Sequence, residues 1–291
     1  GVRSYAGISA TAGDIDVDSK GVVTLGGRTT ATGHVNINAT DGLINSGTLY
    51  AQTSAQLSSD GQISNSGVLS AQNDLTLFSG SINSTGVLGA GIDASSHATQ
   101  AGNLNLIASG GVSATGQNMA GSNIAINGAS LNLAHAQTSA VSNIVLTARA
   151  GDIDQTGGSL QAGGGAALSA TGAITNDQGN INAAQLTSNS ASLSNVNGQL
   201  IQSGTGDTRI VTSGLLNNGA GTLTTNAQNL TVQSGSLNNT SGQINHAGSG
   251  SASIQSGAIT NAQGVIGSNG QLAMTASSLN NQSGKITAVG A

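Results

Sequence analysis

The sequence has no cysteine, no proline, no tryptophan and no glutamate; all eleven acidic residues are aspartate. Without cysteine there is neither a disulfide framework nor a thiolate metal site. A chain of 291 residues with average usage would carry about 15 prolines, and their complete absence is a constraint on the backbone. Proline cannot donate to a β ladder and survives only at edges and bulges, so it is excluded where nearly every strand has a neighbour on both sides. Aromatic residues are 1% of the chain and charged residues 6%, with a net charge of −5. That charge is too sparse and too acidic for an electrostatic footprint on nucleic acid or on an anionic membrane. No apolar run approaches the roughly 20 residues needed to cross a bilayer, so membrane insertion is not expected, and no signal peptide opens the sequence.

What is present in quantity is glycine, 45 residues, with serine, threonine and asparagine around short aliphatic pulses. Such a composition borders on disorder, but disordered chains combine low hydrophobicity with high net charge, and here the aliphatic residues recur at fixed intervals. The residues Leu43, Ile63, Ile82, Val112, Leu131, Ile153, Ile174, Leu193, Leu216, Leu237, Ile259 and Leu279 open similar phrases 19 to 23 residues apart, with one interval of 30. A period of this size is that of a solenoid. Each period holds three pulses, and the third alternates strictly, as in DLTLF at 74–78, NLNLI at 103–107, NIAIN at 123–127, NIVLT at 143–147 and NLTVQ at 229–233. Alternation with period two is a strand with one buried face. Leucine-rich repeats share the period but carry a denser leucine pattern and a helical segment, and no helical periodicity is present. The expected fold is therefore all-β: a parallel β-helix with three short strands per coil of about 19–23 residues. Residues 1–291 read as a single shaft fragment. Residues 1–42 form irregular first coils, and residues 43–291 regular repeats with a loop insertion near 89–102. The opening GVRSYAGISATAG already reads like the middle of a repeat.

Asparagine stands two residues after the first aliphatic at Asn45, Asn65, Asn176, Asn195, Asn218, Asn239, Asn261 and Asn281. In stacked coils these side chains lie about 4.8 Å apart, close enough for amide-to-amide hydrogen bonds of the kind that form in cross-β stacks. Asparagine also tolerates the left-handed conformation of a turn. The phrase reads as a structural ladder and not as a ligand site.

Chemistry-bearing residues do not converge. Asp14, Asp16 and Asp18 alternate as an EF-hand loop begins, but Ser19 replaces the required glycine and Leu25 the bidentate glutamate. They read as the solvent face of a strand, with weak calcium binding as the alternative. His34, His97, His135 and His246 fall in different coils without metal-ligand spacing and read as surface or turn residues. No Ser-His-Asp constellation, phosphate loop or regular Thr-x-Thr column is visible, and the clustered acids and aromatics of glycan-cleaving β-helices are missing. Catalytic residues, metal ligands and cofactors are accordingly expected to be none, and an enzyme is not the reading. The 30-residue interval carries about 10 extra residues with Asp93 and His97. It reads as a tolerated loop or as a partner contact, since binding residues favour loops on rigid scaffolds.

The stretches ITNAQGVIGSNGQLAMTASSLNNQSGKITA and VLGAGIDASSHATQAGNLNLIASGGVSATGQNMAGSNIAINGASLNLAHAQTSAVSNIVLTARAGDI resemble filamentous hemagglutinin repeats. These belong to bacterial two-partner-secretion exoproteins, both hemagglutinin adhesins and contact-dependent growth-inhibition effectors. The resemblance covers about residues 41–291. It implies a right-handed β-helix and a protein secreted to the bacterial outer cell surface through a dedicated outer-membrane transporter. It also implies a filament shaft displaying adhesive or toxin domains. The alternative is a shaft that itself binds a host or bacterial surface receptor or glycan. A polysaccharide-acting β-helix enzyme is the least favoured reading. Nothing catalytic carries over, because shaft repeats hold no such residues.

Overall fold

The computed structural model describes residues 1–93 and 101–290. Among them there is no helix; strands and turns follow one another from Val2 onward. The chain divides into two compact units, Gly1–Arg149 and Ala150–Ala291, and each is a β-solenoid of stacked parallel strands.

In the first unit the coil has three faces. One is built from Ile15–Ser19, Val35–Ala39, the first half of Ala55–Asn65, the first half of Leu75–Ser84, Leu104–Ala108, Ile124–Gly128 and Ile144–Ala148. A second runs through Val23–Leu25, Gly42–Asn45, the ends of the two long strands, Val112–Ala114 and Leu131–Asn132. The third holds Arg28–Ala31, Thr48–Ala51, Val68–Ala71, Val87–Ala90, Gln117–Ala120 and Gln137–Ala140. Register follows the hydrophobic repeat: Val23 pairs with Leu43, Leu43 with Ile63, Ile63 with Ile82, Ile82 with Val112, and Val112 with Leu131. All six side chains are buried. A one-residue slip would turn each strand's aliphatics out to water, which is what fixes the pairing. Residues 1–42 stack in the same way, with Val2 opposite Val23 and Ile15 opposite Val35.

The second unit repeats the arrangement. Ile153, Ile174, Leu193, Leu216, Leu237, Ile259 and Leu279 form one continuous column of partners. Beside it run Leu160, Ile181, Leu200, Leu223, Ile244 and Ile266. Each buried aliphatic contributes about 1.5–3 kcal/mol, while ordering the backbone costs about 1–2 kcal/mol per residue. Five or so aliphatics per coil cannot offset that alone, and stability comes from coils covering one another.

His246 departs from the surface or turn position expected of it. It is 2% exposed. Its Nδ1 lies 2.9 Å from Ser268 Oγ and its Nε2 2.9 Å from the Ala227 carbonyl. It belongs to a buried polar column, Gln202–Thr225–His246–Ser268, set by parallel register. The cause is strand parity: His246 stands two residues after the buried Ile244 in Gln243–His246 and shares its inward face.

Candidate functional site

The repeated phrase resolves into a turn with two fixed chemical parts. In the second unit, from Asn176 onward, this turn runs from an asparagine to a glycine three residues on, as in Asn239-Thr240-Ser241-Gly242, and the Gly242 amide donates to the Asn239 carbonyl at 3.0 Å. The third residue adopts a left-handed backbone in every copy: Gln178, Asn197, Ala220, Ser241, Gln263 and Ser283 all have φ between 52° and 58°. The glycine is demanded by the neighbouring coil. A Cβ on Gly242 would collide with the Asn218 carbonyl oxygen one coil earlier, and the same clash recurs at Gly198, Gly221, Gly264 and Gly284.

The asparagine side chain turns inward. Nδ2 of Asn176 donates to Oδ1 of Asn195 at 2.8 Å, and the donations from Asn195 to Asn218, Asn218 to Asn239, Asn239 to Asn261 and Asn261 to Asn281 are each 2.7 Å. Each of these five donating Nδ2 groups also meets the carbonyl of its own turn glycine and one carbonyl of the next coil; for Asn239 these are Gly242 at 3.2 Å and Val265 at 3.1 Å. In the first unit Asn45 donates to Asn65 at 2.8 Å, and Asn65 donates to Ser84 Oγ at 3.0 Å. The structure thus brings the eight asparagines together as two ladders, one per unit. Five of the eight are at most 1% exposed. The ladders can hold coils in register; they present nothing to a ligand.

Every inner rung donates toward the following coil, so the first rung of each ladder has an acceptor without a donor: Asn45 Oδ1 and Asn176 Oδ1 have no partner. Leu25 stands opposite Asn45. Gln155 occupies the rung position before Asn176, with the same turn closed by a bond from the Gly158 amide to its carbonyl. It is fully buried, yet neither atom of its amide is hydrogen-bonded. Its side chain is one methylene too long for the rung.

An outer ladder, distinct from these two, lies just before the strands Leu75–Ser84, Leu104–Ala108, Ile124–Gly128 and Ile144–Ala148. Asn103 Nδ2 donates to Asp74 Oδ1, Asn123 Nδ2 to Asn103 Oδ1 and Asn143 Nδ2 to Asn123 Oδ1, each at 3.0 Å. Here donation runs back toward the earlier coil. The first rung therefore needs only acceptors, which is why it is aspartate. Asp207 opens a similar series, accepting from Asn229 Nδ2 at 3.1 Å. The signal lies in the first residues of DLTLF, NLNLI, NIAIN and NIVLT, which are Asp74, Asn103, Asn123 and Asn143. The outer ladder serves coils in which the inner rung is Ser84, Ala114 or Leu133 instead of asparagine.

The insertion lies between Val87–Ala90 and Leu104–Ala108. Leu75 pairs with Leu104 and Val87 with Gln117, offsets of 29 and 30 residues. Residues 89 and 90 belong to the strand. The excursion is pinched at its base: Gly91 (φ 65°) and Gly102 (φ 99°) pass so close that a side chain on either would strike the other strand of the stem. Ile92 is buried and anchors the departing end. Asp93 lies near Tyr50, whose hydroxyl pKa is raised, first by burial and second by the Asp93 charge. His97 lies outside the described residues.

The remaining polar candidates stay on the surface. Asp16 and Asp18 accept from Asn36 at 2.9 Å and Asn38 at 3.2 Å, and Asp14 accepts from the His34 amide at 2.6 Å. Among the described residues no group of three or more His, Cys, Asp or Glu side chains could hold a metal ion, and no helix is long and apolar enough to cross a membrane.

These features define a class of protein, a parallel β-solenoid repeat region locked by amide ladders and tight glycine turns. The chain is 31% identical over 227 residues, 77% of its length, to the protein named Toxin CdiA from Yersinia pestis. It is 45% identical over 83 residues, 28% of its length, to the protein named tRNA nuclease CdiA-2 from Burkholderia pseudomallei (strain 1026b). It spans 7% and 3% of the length of these two relatives. No family model matches the chain, and no solved structure matches it. Similarity to CdiA proteins and the solenoid together fit a filamentous hemagglutinin-like repeat region of a two-partner-secretion exoprotein.

Proposed function

We propose that the chain is a segment of a secreted filament shaft that carries adhesive or toxin domains away from the bacterial surface, exported through an outer-membrane two-partner-secretion transporter. The observation that carries this reading is where the polar groups go. The asparagine amides bond to the next coil, and the 77% of the chain that aligns does so with a small part of a much longer protein named as a toxin. A scaffold that must hold length needs coil-to-coil bonds, and these side chains supply them. The same observation supports a non-catalytic role for this stretch, since the ladder amides face other coils and the histidines with described positions lie in separate coils.

The test is made in the parent protein. Two, then four, whole coils of this stretch are removed at matched rung positions, and surface display and the activity of the displayed domain are measured on contacting cells. The display reading expects unchanged export with activity that falls in steps as coils are removed. Activity independent of coil number would refute it. A second reading, direct adhesion by the shaft, is favoured by one observation, an exposed phenylalanine beside an exposed isoleucine on the first unit. It expects the isolated 291-residue chain to bind target cells.

A further inference from the structure

One outward column of the first unit changes character along its length. On the face that begins with Asp18, the outward partners in successive coils are Asn38, Ser58, Phe78, Ile107 and Asn127. Polar residues thus give way to the chain's only phenylalanine and, next to it in register, an isoleucine. Phe78 is 56% and Ile107 36% exposed. Together they floor an open groove of about 470 Å³, with Asp60 and Arg149 among its lining residues.

The two charges stand at opposite ends of that floor. Asp60 belongs to the coil before Phe78. It sits where the register slips, so that Asp60 and Gly61 together oppose Gly80. Such a β-bulge re-aims a side chain, and Asp60 is exposed. Arg149 belongs to a later coil but reaches back: its Nη2 donates to the Ala108 carbonyl at 2.5 Å and lies 3.4 Å from the Ser109 carbonyl. This holds the guanidinium beside Ile107's own strand while other N–H groups stay free. The order along the face is carboxylate, phenyl, sec-butyl, guanidinium, over two coil steps. At about 4.8 Å per coil the charges are roughly 10 Å apart.

We propose that this groove is a peptide-binding subsite whose occupant is a short extended apolar segment with a cation at one end and an anion at the other. Charge complementarity selects the occupant. A cation meets Asp60, a carboxylate accepts a charge-assisted hydrogen bond from the guanidinium N–H groups that Ala108 and Ser109 do not engage, and apolar side chains cover Phe78 and Ile107. An extended chain spans at most 3.3–3.6 Å per residue, so three residues match a separation of about 10 Å. A rigid aromatic next to an arginine is also the composition of interface hot spots. The site does not depend on the display role, and either can fail without the other.

The probe is the tripeptide Leu-Leu-Leu with free termini, titrated into the whole 291-residue chain and followed by NMR. Phe78 supplies the only phenylalanine ring signals, so binding at the groove has a private reporter. The expected result is saturable movement of the Phe78 ring and Ile107 methyl signals. Affinity should weaken at least fivefold when either peptide terminus is capped, and by a similar factor with Asp60→Asn or Arg149→Gln. Asp60→Asn should match the loss from acetylating the amine, and Arg149→Gln the loss from amidating the carboxylate. All these positions are exposed, so the variants should fold with unchanged circular dichroism. Saturable shifts that are indifferent to both caps would overturn the charge-matched occupant. No shift at Phe78, or equal shifts with chito-oligosaccharides in place of the peptide, would overturn the peptide subsite.

Discussion

Replacing Asn239 with leucine tests the ladder where it is continuous on both sides. Asn239 is fully buried, accepts from Asn218 at 2.7 Å and donates to Asn261 at 2.7 Å. Leucine is nearly the same size and removes both bonds. Asn261 Oδ1 then has no donor, and the Gly242 and Val265 carbonyls each lose a bond. Asn218 Nδ2 keeps the Gly221 and Gln243 carbonyls, at 3.2 and 3.0 Å. A buried polar group left unpaired costs about 1–3 kcal/mol. One complete loss and several partial ones amount to about 3–5 kcal/mol. Burying leucine offsets about 1.5–3 kcal/mol of that. The expected net loss is about 1–3 kcal/mol, read as a lower urea midpoint at unchanged slope. Ser253→Leu, on an exposed position of the neighbouring strand, is the control and should stay within about 0.5 kcal/mol. His246 cannot serve as a second control. Its ring is buried and both nitrogens are hydrogen-bonded, so His246→Leu should cost about as much as Asn239→Leu. If Asn239→Leu were no worse than Ser253→Leu, the amides would be passengers on a fold held by its aliphatic columns alone.

Three further outcomes are expected. Gln155→Asn shortens the unbonded amide to rung length and gives Asn176 Oδ1 a donor, so it should raise the denaturation midpoint by the equivalent of about 1–2 kcal/mol; a fall would show that the rung position does not extend to residue 155. Tyr50 should ionise above its ordinary value near 10. Because the folded pKa is the raised one, its contribution to stability is complete below that ordinary value and is lost as pH rises through the folded pKa. Phenolate absorbance in a Tyr5→Phe background should show Asp93→Asn lowering the Tyr50 pKa while leaving it above normal, since burial is the larger cause; no change would place Asp93 away from the ring. Excising residues 92–100, which joins the two sides of the glycine stem, should preserve the β spectrum and cost about 1.5–3 kcal/mol. Most of that is the lost burial of Ile92, because loop-closure entropy changes slowly with length. Global unfolding would show that the stem does not close by itself.

The solenoid was legible because its determinants are local and repeated. An interval of 19 to 23 residues between aliphatics states the register directly, and strict alternation in NIAIN or NIVLT states which face is buried. The position of the asparagines could be read in the same way. Their direction of donation could not, since it depends on which way each amide turns in three dimensions. His246 was misread by residue type. A histidine in a glycine- and serine-rich phrase suggests solvent, but its spacing of two from Ile244 carried the correct information, as did Gln202 after Leu200 and Thr225 after Leu223. The groove at Phe78 was hidden for a different reason. Asp60, Phe78, Ile107 and Arg149 lie up to 89 residues apart, and only stacking, together with the backward reach of the arginine, brings them to one place.

The opposed ladders have a consequence for how coils are added. Along the inner ladder a completed coil offers a free N–H to whatever follows it; along the outer ladder it offers a free oxygen. The upper surface of a finished coil is thus already a mould for the next one, with fixed donor and acceptor positions, whereas the lower surface at Asn176 presents an acceptor that nothing below it answers. Growth of such a stack has a sense of direction written into its side chains. A chain delivered in order from its amino-terminal end would meet inner donors and outer acceptors at each step, and the same chain delivered in reverse would meet the complementary set.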